Sequence, residues 1–438
     1  MAIATLNASV TLFLNGLAGW LWLPVGWGNG DGRVSHDSRN SRRARTGVQA
    51  VILNDRRRPG LPAELVGRVF AIWLGVALLQ FAAVASVGWM VPAATSSVIW
   101  TLPTLAAVLT LGCAMLLIGR IAYRVFDEEI AGLACLACAV AVPLMVAMRP
   151  AILDVHGLQA VCILFALNGL MGREARYGGW ATGAALASAL ALSLDGMVLA
   201  LGFVAVMALK WLRTRAERWW LIHTLQALTV VAGAIIAAKW AMGQPPACGA
   251  LGIAHLAAFA WATVIVTVVA LFEPHPRAFT IGGMVAAASG AGLLLNDWTA
   301  GCTIGPALGL AGAEPLWRGG AIFAIQALGL PLLGFVAALR LTSPARDWLR
   351  RWWSDYALLM LLATVVTGFD ARAAAAACAL AAVPTGWQTR EWIRAARNSR
   401  RAGRRALGLT AVALALAPAM PLSLLVLAAP TYARNLAD

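Results

Sequence analysis

Apolar residues in this chain come in long runs broken by short polar stretches. That is neither the strict alternation of half-buried strands nor the single stripe of an amphipathic surface helix. The runs fall near 2–27, 69–91, 95–118, 130–148, 157–172, 179–194, 196–212, 219–239, 250–272, 278–295, 319–341, 356–369, 373–387 and 406–429. A membrane-crossing helix needs about 20 predominantly apolar residues, so the longer runs predict spans. The shorter ones predict helices surrounded by other helices or ending at a water-filled cavity. The expected fold is an all-α integral membrane protein, a single polytopic domain over residues 1–438 with 12 to 14 transmembrane helices. Run 2–27 has no basic start and no small-residue cleavage site ahead of a polar chain, which predicts a retained anchor rather than a signal peptide.

Composition agrees with this pattern. Hydrophobic residues make up 61% of the chain and charged residues 12%, against roughly 25% charged in soluble domains. The net charge of +15 is almost entirely arginine, since Lys210 and Lys239 are the only lysines. So strong a positive charge raises a nucleic-acid reading, but most of it lies in short loops between apolar runs, which is the mark of membrane topology. No nucleic-acid partner is expected. Seven cysteines are scattered; Cys135 and Cys138 fall within an apolar run without charged neighbours and read as small packing residues.

The loops sort by charge. Those at 119–129, 173–178, 210–218, 273–277, 340–351 and 388–405 hold twenty Lys or Arg, whereas the alternate set holds five. By the positive-inside rule the first set is cytoplasmic. Asp154, His156, Asp195, Asp297, Arg318, Asp370 and Arg372 then share the opposite face. Residues 28–68 form an arginine-rich first loop with nine arginines, and Asp31, His36, Asp37 and Asp55 among them. The absence of charge over 69–91 favours a full span there, which puts this loop in the cytoplasm against anionic lipid; a re-entrant 69–91 would put it outside.

The densest polar cluster outside the basic loops is Arg149-Pro150-Ala151-Ile152-Leu153-Asp154-Val155-His156-Gly157-Leu158-Gln159. Ionisable groups at the mouth of an apolar run are costly unless they face water, an ion or a headgroup. Asp154 and His156, two apart, suit a shared divalent cation in a turning segment; a hydrated turn with Asp154 capping the next helix suits the same residues. Asp195 interrupts an apolar stretch and predicts a tight turn between two helices. His223 and His255 are single histidines on helical faces and read as packing residues. The loop 296–318, with its Gly, Pro and Trp, predicts an ordered extracytoplasmic rim. No two-half repeat of the inverted-transporter kind is visible.

These stretches resemble a group of polytopic proteobacterial membrane proteins similar to the GT-C class of glycosyltransferases, which use lipid-linked sugars and include oligosaccharyltransferase catalytic subunits and protein mannosyltransferases. That group carries an Arg-x-Asp-His-His-x-x-Gln signature. Asp154-Val155-His156-Gly157-Leu158-Gln159 is similar to it with Val155 in place of the first histidine, and Arg149-Pro150 stands upstream. Ser193-Leu194-Asp195, Ala247-Cys248-Gly249-Ala250-Leu251, Cys302-Thr303-Ile304-Gly305-Pro306, Pro315-Leu316-Trp317 with Gln326, and Asp370-Ala371-Arg372 resemble further short motifs in the same order, over residues 95 to 390. The group also carries paired acids after its first span; here Asp31 and Asp37 stand in arginine-rich surroundings, and Gly67 occupies an aspartate position.

The resemblance implies a GT-C-like arrangement and transfer of a sugar from a polyprenyl-phosphate donor on the extracytoplasmic side of a bacterial cytoplasmic membrane. It implies Asp31, Asp37 and Asp154 as catalytic carboxylates, and Asp154 with His156 as holders of a divalent metal, Mg2+ or Mn2+. Arg149, Gln159, Asp195, Arg318, Gln326 and Arg372 would bind substrate, Arg149 and Arg372 at the lipid phosphate. Membrane lipid and the lipid-linked donor are the expected partners. The rival readings are a transporter or flippase, for which mid-helix charges would be expected, and a degenerate, non-catalytic member of the same class.

Overall fold

The computed structural model describes residues 63–90, 97–149, 154–172, 174–243, 250–272, 276–296, 304–310, 312–345, 347–416 and 418. Asp31, Asp37 and Asp297, most of the arginine-rich stretch, the run 2–27 and the loop residues Ala247–Gly249 and Cys302 lie outside them.

The described chain is helical throughout. Its helices are α1 (Ala63–Met90), α2 (Ser97–Val125), α3 (Glu128–Val140), α4 (Val142–Ala147), α5 (Val155–Leu170), α6 (Ala175–Leu192), α7 (Met197–Arg213), α8 (Arg218–Ala241), α9 (Ile253–Leu271), α10 (Arg277–Leu295), α11 (Gly320–Thr342), α12 (Asp347–Phe369), α13 (Ala374–Asn398) and α14 (Ala402–Leu416). Among the described residues seven stretches are long and apolar enough to cross a membrane, from Leu105–Val125 to Leu349–Phe369. Helices are the form such a sequence must take in lipid, because each satisfies its own backbone donors and acceptors. The protein is a multi-pass membrane protein.

The run 130–148 is divided. Pro143 has no N–H to return to the carbonyl of residue 139, so the ladder stops at Val140. Ala141 is extended at φ −69° and ψ 100°, and α4 restarts with the proline in its first turn. Asp127 caps α3 by accepting from Ile130 N–H at 3.1 Å, with Glu128 and Glu129 beside it favoured by the positive end of the helix dipole.

α13 is the hub. It packs against α3, α5, α11, α12 and α14, and every residue from Ala374 to Gly386 is buried. Ten of those positions carry nothing larger than cysteine or threonine, so neighbouring helices approach closely on all sides. The apolar run 373–387 predicted a short buried helix; the helix continues to Asn398 because its last turns carry ion-pairing arginines. Arg390 binds Asp127 at 2.6 Å and Glu129 at 2.8 Å, and Arg68 of α1 lies 3.6 Å from Glu128. Ala63–Arg68, the end of the arginine-rich stretch, is thus the start of α1.

α13 begins beside Asp370 and Arg372 and reaches Arg390 after 16 residues, a rise of about 24 Å. Charges therefore collect at two ends of the bundle. One end is rich in arginine; the other holds Asp154, Asp195 and Asp370.

Candidate functional site

Three short turns build the carboxylate end, all on one local plan. At the start of α5, Asp154 is extended (φ −86°, ψ 125°) and its Oδ1 accepts from His156 N–H at 3.0 Å. Between α6 and α7, Ser193 Oγ accepts from Asp195 N–H at 3.3 Å, opening the 3-10 turn Leu194–Gly196. Between α12 and α13, Asp370 Oδ1 accepts from Arg372 N–H at 3.1 Å, opening the 3-10 turn Ala371–Ala373. In each, the first side chain bonds the backbone two residues on, as Ser and Asp do at helix starts. The residue two further on is left to face its neighbours.

Those residues meet. Asp195 Oδ1 lies 3.0 Å from Arg372 Nη1, and Asp195 Oδ2 lies 4.0 Å from His156 Nδ1. The other imidazole nitrogen, Nε2, is 4.0 Å from Asp154 Oδ1. Arg372 also grips Asp370 with a fork: Nε to Oδ1 at 2.9 Å and Nη2 to Oδ2 at 3.0 Å. Such two-point pairing is stronger and more directional than a single bond. The hydrogen bonds it donates to Asp370 raise the guanidinium above the ordinary arginine range, so it stays charged. Two carboxylates, Asp195 and Asp370, face this one guanidinium, and a third, Asp154, lies against the imidazole of His156.

The His156 ring holds the unusual position. Its Nδ1 is buried and has no hydrogen-bond partner, and at 4.0 Å the Asp195 carboxylate is beyond hydrogen-bond range. An unsatisfied buried polar atom costs about 1–3 kcal/mol. Native proteins keep such atoms where a water, ion or substrate group completes them.

Scaffold residues fix these turns relative to one another. Gln159 is buried on α5, and its amide donates to Ser193 O at 2.9 Å, tying α5 to the Asp195 turn. Gly157 sits where a Cβ would stand 2.6 Å from Ala147 O, so only glycine lets the start of α5 cross the end of α4. Gly309 has φ +74°, and a Cβ there would collide with Leu194 O. Its own carbonyl is 3.5 Å from Arg372 Nη2. Glu314 contributes its backbone carbonyl to Ala371 N–H at 2.9 Å. His255 is buried with Nδ1 3.3 Å from Gly252 N–H and Nε2 2.9 Å from Ala307 O. That pattern sets Nε2 as donor and pins the segment before Gly309 to α9, the packing role expected of it.

The structure thus brings together Asp154, His156, Gln159, Asp195 and Arg372. It leaves Arg318 exposed on the 3-10 turn Leu316–Gly319 and Arg149 exposed just past α4, and buries Gln326 on α11. Gln159, expected to bind substrate, spends its amide on the scaffold. Arg372, expected at a lipid phosphate, donates to the chain's own carboxylates. Asp370 joins the site through Arg372, and its signal was the spacing it shares with Asp154: an acid two residues before a basic or imidazole side chain. Cys135 and Cys138 are fully buried packing residues.

Asp154, His156 and Asp195 are the right donor types for a divalent cation. Among the described residues no three His, Cys, Asp or Glu side chains converge as a metal-holding group. Asp154 and His156 are therefore a partial donor set, one carboxylate and one imidazole.

Among solved structures the chain is similar to the archaeal oligosaccharyltransferase AglB from Archaeoglobus fulgidus, in complex with an inhibitory peptide and a dolichol-phosphate. The TM-score is 0.51 at 15% identity, over 79% of this chain and 47% of that one. The chain spans about half the length of that protein. At this identity the likeness is one of fold: the helices follow a distant GT-C-like arrangement. No family model and no curated protein matches the chain.

Proposed function

We propose that this protein is a GT-C-like glycosyltransferase that takes a sugar from a polyprenyl-phosphate carrier at the extracytoplasmic face of a bacterial cytoplasmic membrane. The observation that carries the reading is the junction of Asp154, His156, Asp195 and Arg372 at one end of a fold similar to AglB, which was solved with a dolichol-phosphate. The basic loops at the other end support its sidedness.

Sugar transfer breaks the bond between the anomeric carbon and the phosphate oxygen, joins that carbon to an acceptor atom, and moves the acceptor's proton to a base. Asp154 is the described carboxylate best suited to take it: one oxygen caps α5, and the side chain is 29% exposed. Asp31 and Asp37, on the first loop, would join the reaction only with a re-entrant 69–91 that puts that loop outside. Arg372, held by Asp370, fixes the orientation of Asp195, and Asp195 and Asp154 flank the imidazole. A divalent cation held by Asp154 and His156 would supply positive charge for the departing phosphate. Arg149, exposed beside the cluster in sequence, is the cation left to meet the lipid phosphate.

One observation favours a second reading. The Asp154 cap and the saturated Arg372 would be satisfied in a non-catalytic relative of the same fold. Cells that make the protein separate the two. Deletion should cause one polyprenyl-phosphate sugar to accumulate in lipid extracts read by mass spectrometry, and wild type but not Asp154→Asn should clear it. An unchanged lipid-linked sugar profile on deletion would leave the non-catalytic reading standing. The charges at helix ends, rather than mid-helix, speak against a transporter.

A further inference from the structure

The turn that carries Asp195 and the turn that carries Arg372 are both touched by a residue that belongs to neither. Gly309 lies against the Leu194–Asp195 peptide: a methyl in place of its hydrogen would meet Leu194 O and stand 2.7 Å from Asp195 N. Its carbonyl is 3.5 Å from Arg372 Nη2. The backbone there has φ +74°, a conformation glycine adopts without steric cost.

Gly309 belongs to a short segment that must be held at this spot from outside. One helical turn, Ile304–Ala307, closes with Gly309 N–H donating to Pro306 O and Leu310 N–H to Gly305 O, both at 3.0 Å. Ala307 is buried in a small apolar cluster with Ala258 of α9 and Leu295 of α10. Apolar contact of this kind is non-directional and does not fix the segment's orientation. Direction comes from His255, 4% exposed near the start of α9, whose Nε2 is 2.9 Å from Ala307 O. Its Nδ1 faces Gly252 N–H at 3.3 Å. An N–H on one side and a carbonyl on the other select one tautomer, in which Nδ1 accepts and Nε2 donates.

We propose that His255 is a positioning residue for the carboxylate end. Gly309 is two residues on from Ala307, so the bond at Ala307 O sets where Gly309 meets the Asp195 turn and where its carbonyl meets Arg372. His255 thereby keeps Asp195 and Arg372 at their 3.0 Å contact through the segment between them. One imidazole nitrogen serves the start of its own helix. The other reaches across to the site.

Two substitutions divide these roles. Asn keeps an acceptor near the place of Nδ1 and has nothing at Nε2, whereas Gln brings an amide N–H near Nε2. Hydrogen exchange of the full chain in detergent reads the result, because the rate of a protected amide follows the opening of its segment. In His255→Asn, exchange over 304–310 and 193–197 should rise about tenfold, the weight of one buried hydrogen bond. Exchange over 256–270 should not change. His255→Gln should stay within about twofold of wild type. Gly309→Ala should free 193–197 with His255 in place. A histidine that only fills space would leave 193–197 at the wild-type rate in His255→Asn, and that result overturns the proposal, as does equal loss in Asn and Gln. Wild-type exchange of 193–197 in Gly309→Ala overturns it as well, even where His255→Asn does not fold.

The activity arm rests on the sugar-transfer reading. Clearance of the lipid-linked sugar should fall about tenfold or more in His255→Asn and persist in His255→Gln. Undiminished clearance in His255→Asn, in cells where wild type clears, overturns the positioning role. Absence of clearance by wild type overturns the sugar-transfer reading instead, and the exchange rates then decide the positioning role by themselves.

Discussion

Asp195 and Arg372 meet at 3.0 Å although one lies between α6 and α7 and the other between α12 and α13. Their contact joins the two halves of the carboxylate end. Arg372 is simultaneously forked onto Asp370, which is only 4% exposed. Removing the guanidinium would strand a buried carboxylate. Arg372→Ala should therefore cost roughly 1–3 kcal/mol, the penalty of an unpaired buried polar group discounted for the exposed side of the pair. Arg372→Lys should recover only part, because an ammonium cannot reproduce the fork. Chemical or thermal unfolding in detergent measures both; equal stability of Lys and wild type would show the fork to be unimportant.

Asp154 separates folding from chemistry by one substitution. Asn caps a helix about as well as Asp, so Asp154→Asn should change stability by less than about 0.5 kcal/mol, while Asp154→Ala should cost ~1 kcal/mol. Asn lacks the negative charge that a cation or an acceptor proton needs. Clearance of the lipid-linked sugar should fall to the deletion level in Asp154→Asn at an unchanged melting temperature. Full activity in that variant would reduce Asp154 to a cap.

The orphaned Nδ1 of His156 makes an unusual forecast. An apolar side chain of similar size removes the unsatisfied atom, so His156→Leu should leave thermal stability unchanged or raise it by up to about 1 kcal/mol while abolishing sugar clearance. A strong loss of stability would mean that the imidazole is a structural partner of Asp154 and Asp195.

Sidedness is open to direct labelling. In a cysteine-free background, Arg318→Cys should react with a membrane-impermeant maleimide added outside the cell, and Arg394→Cys, exposed at the opposite end, should react only after permeabilisation. The reverse pattern would move the carboxylate cluster to the cytoplasm and end the proposed reaction. A reporter fused near residue 45 should report the cytoplasm.

How far the sequence carried depended on which residues act locally. Long apolar runs marked the helices, and the polar interruptions at Asp154 and Asp195 marked turns, because capping is decided within two or three residues. The break at Ala141 was hidden, since Pro143 is itself apolar and does not interrupt a hydropathy run. The extension of α13 to Asn398 was hidden for the opposite reason: Arg390 and Arg394 read as loop charges until Asp127 and Glu129, far away in the chain, supply their partners. The same holds for Gln159, whose scaffold role depends on carbonyls of another helix. Whether a polar side chain serves substrate or scaffold is a tertiary question, and no local pattern answers it.

The three turns at the carboxylate end have a consequence for how such a protein changes over time. In each, the side chain that holds the backbone is the first residue, and the side chain that meets the other turns is the third. Backbone closure and ligand-facing chemistry are thus written in different letters of the same three-letter word. His156 can be exchanged for another polar group while Asp154, Ser193 and Asp370 keep every turn closed, whereas Arg372 also holds the buried Asp370, so the face offered to a ligand is freest to diverge at the imidazole.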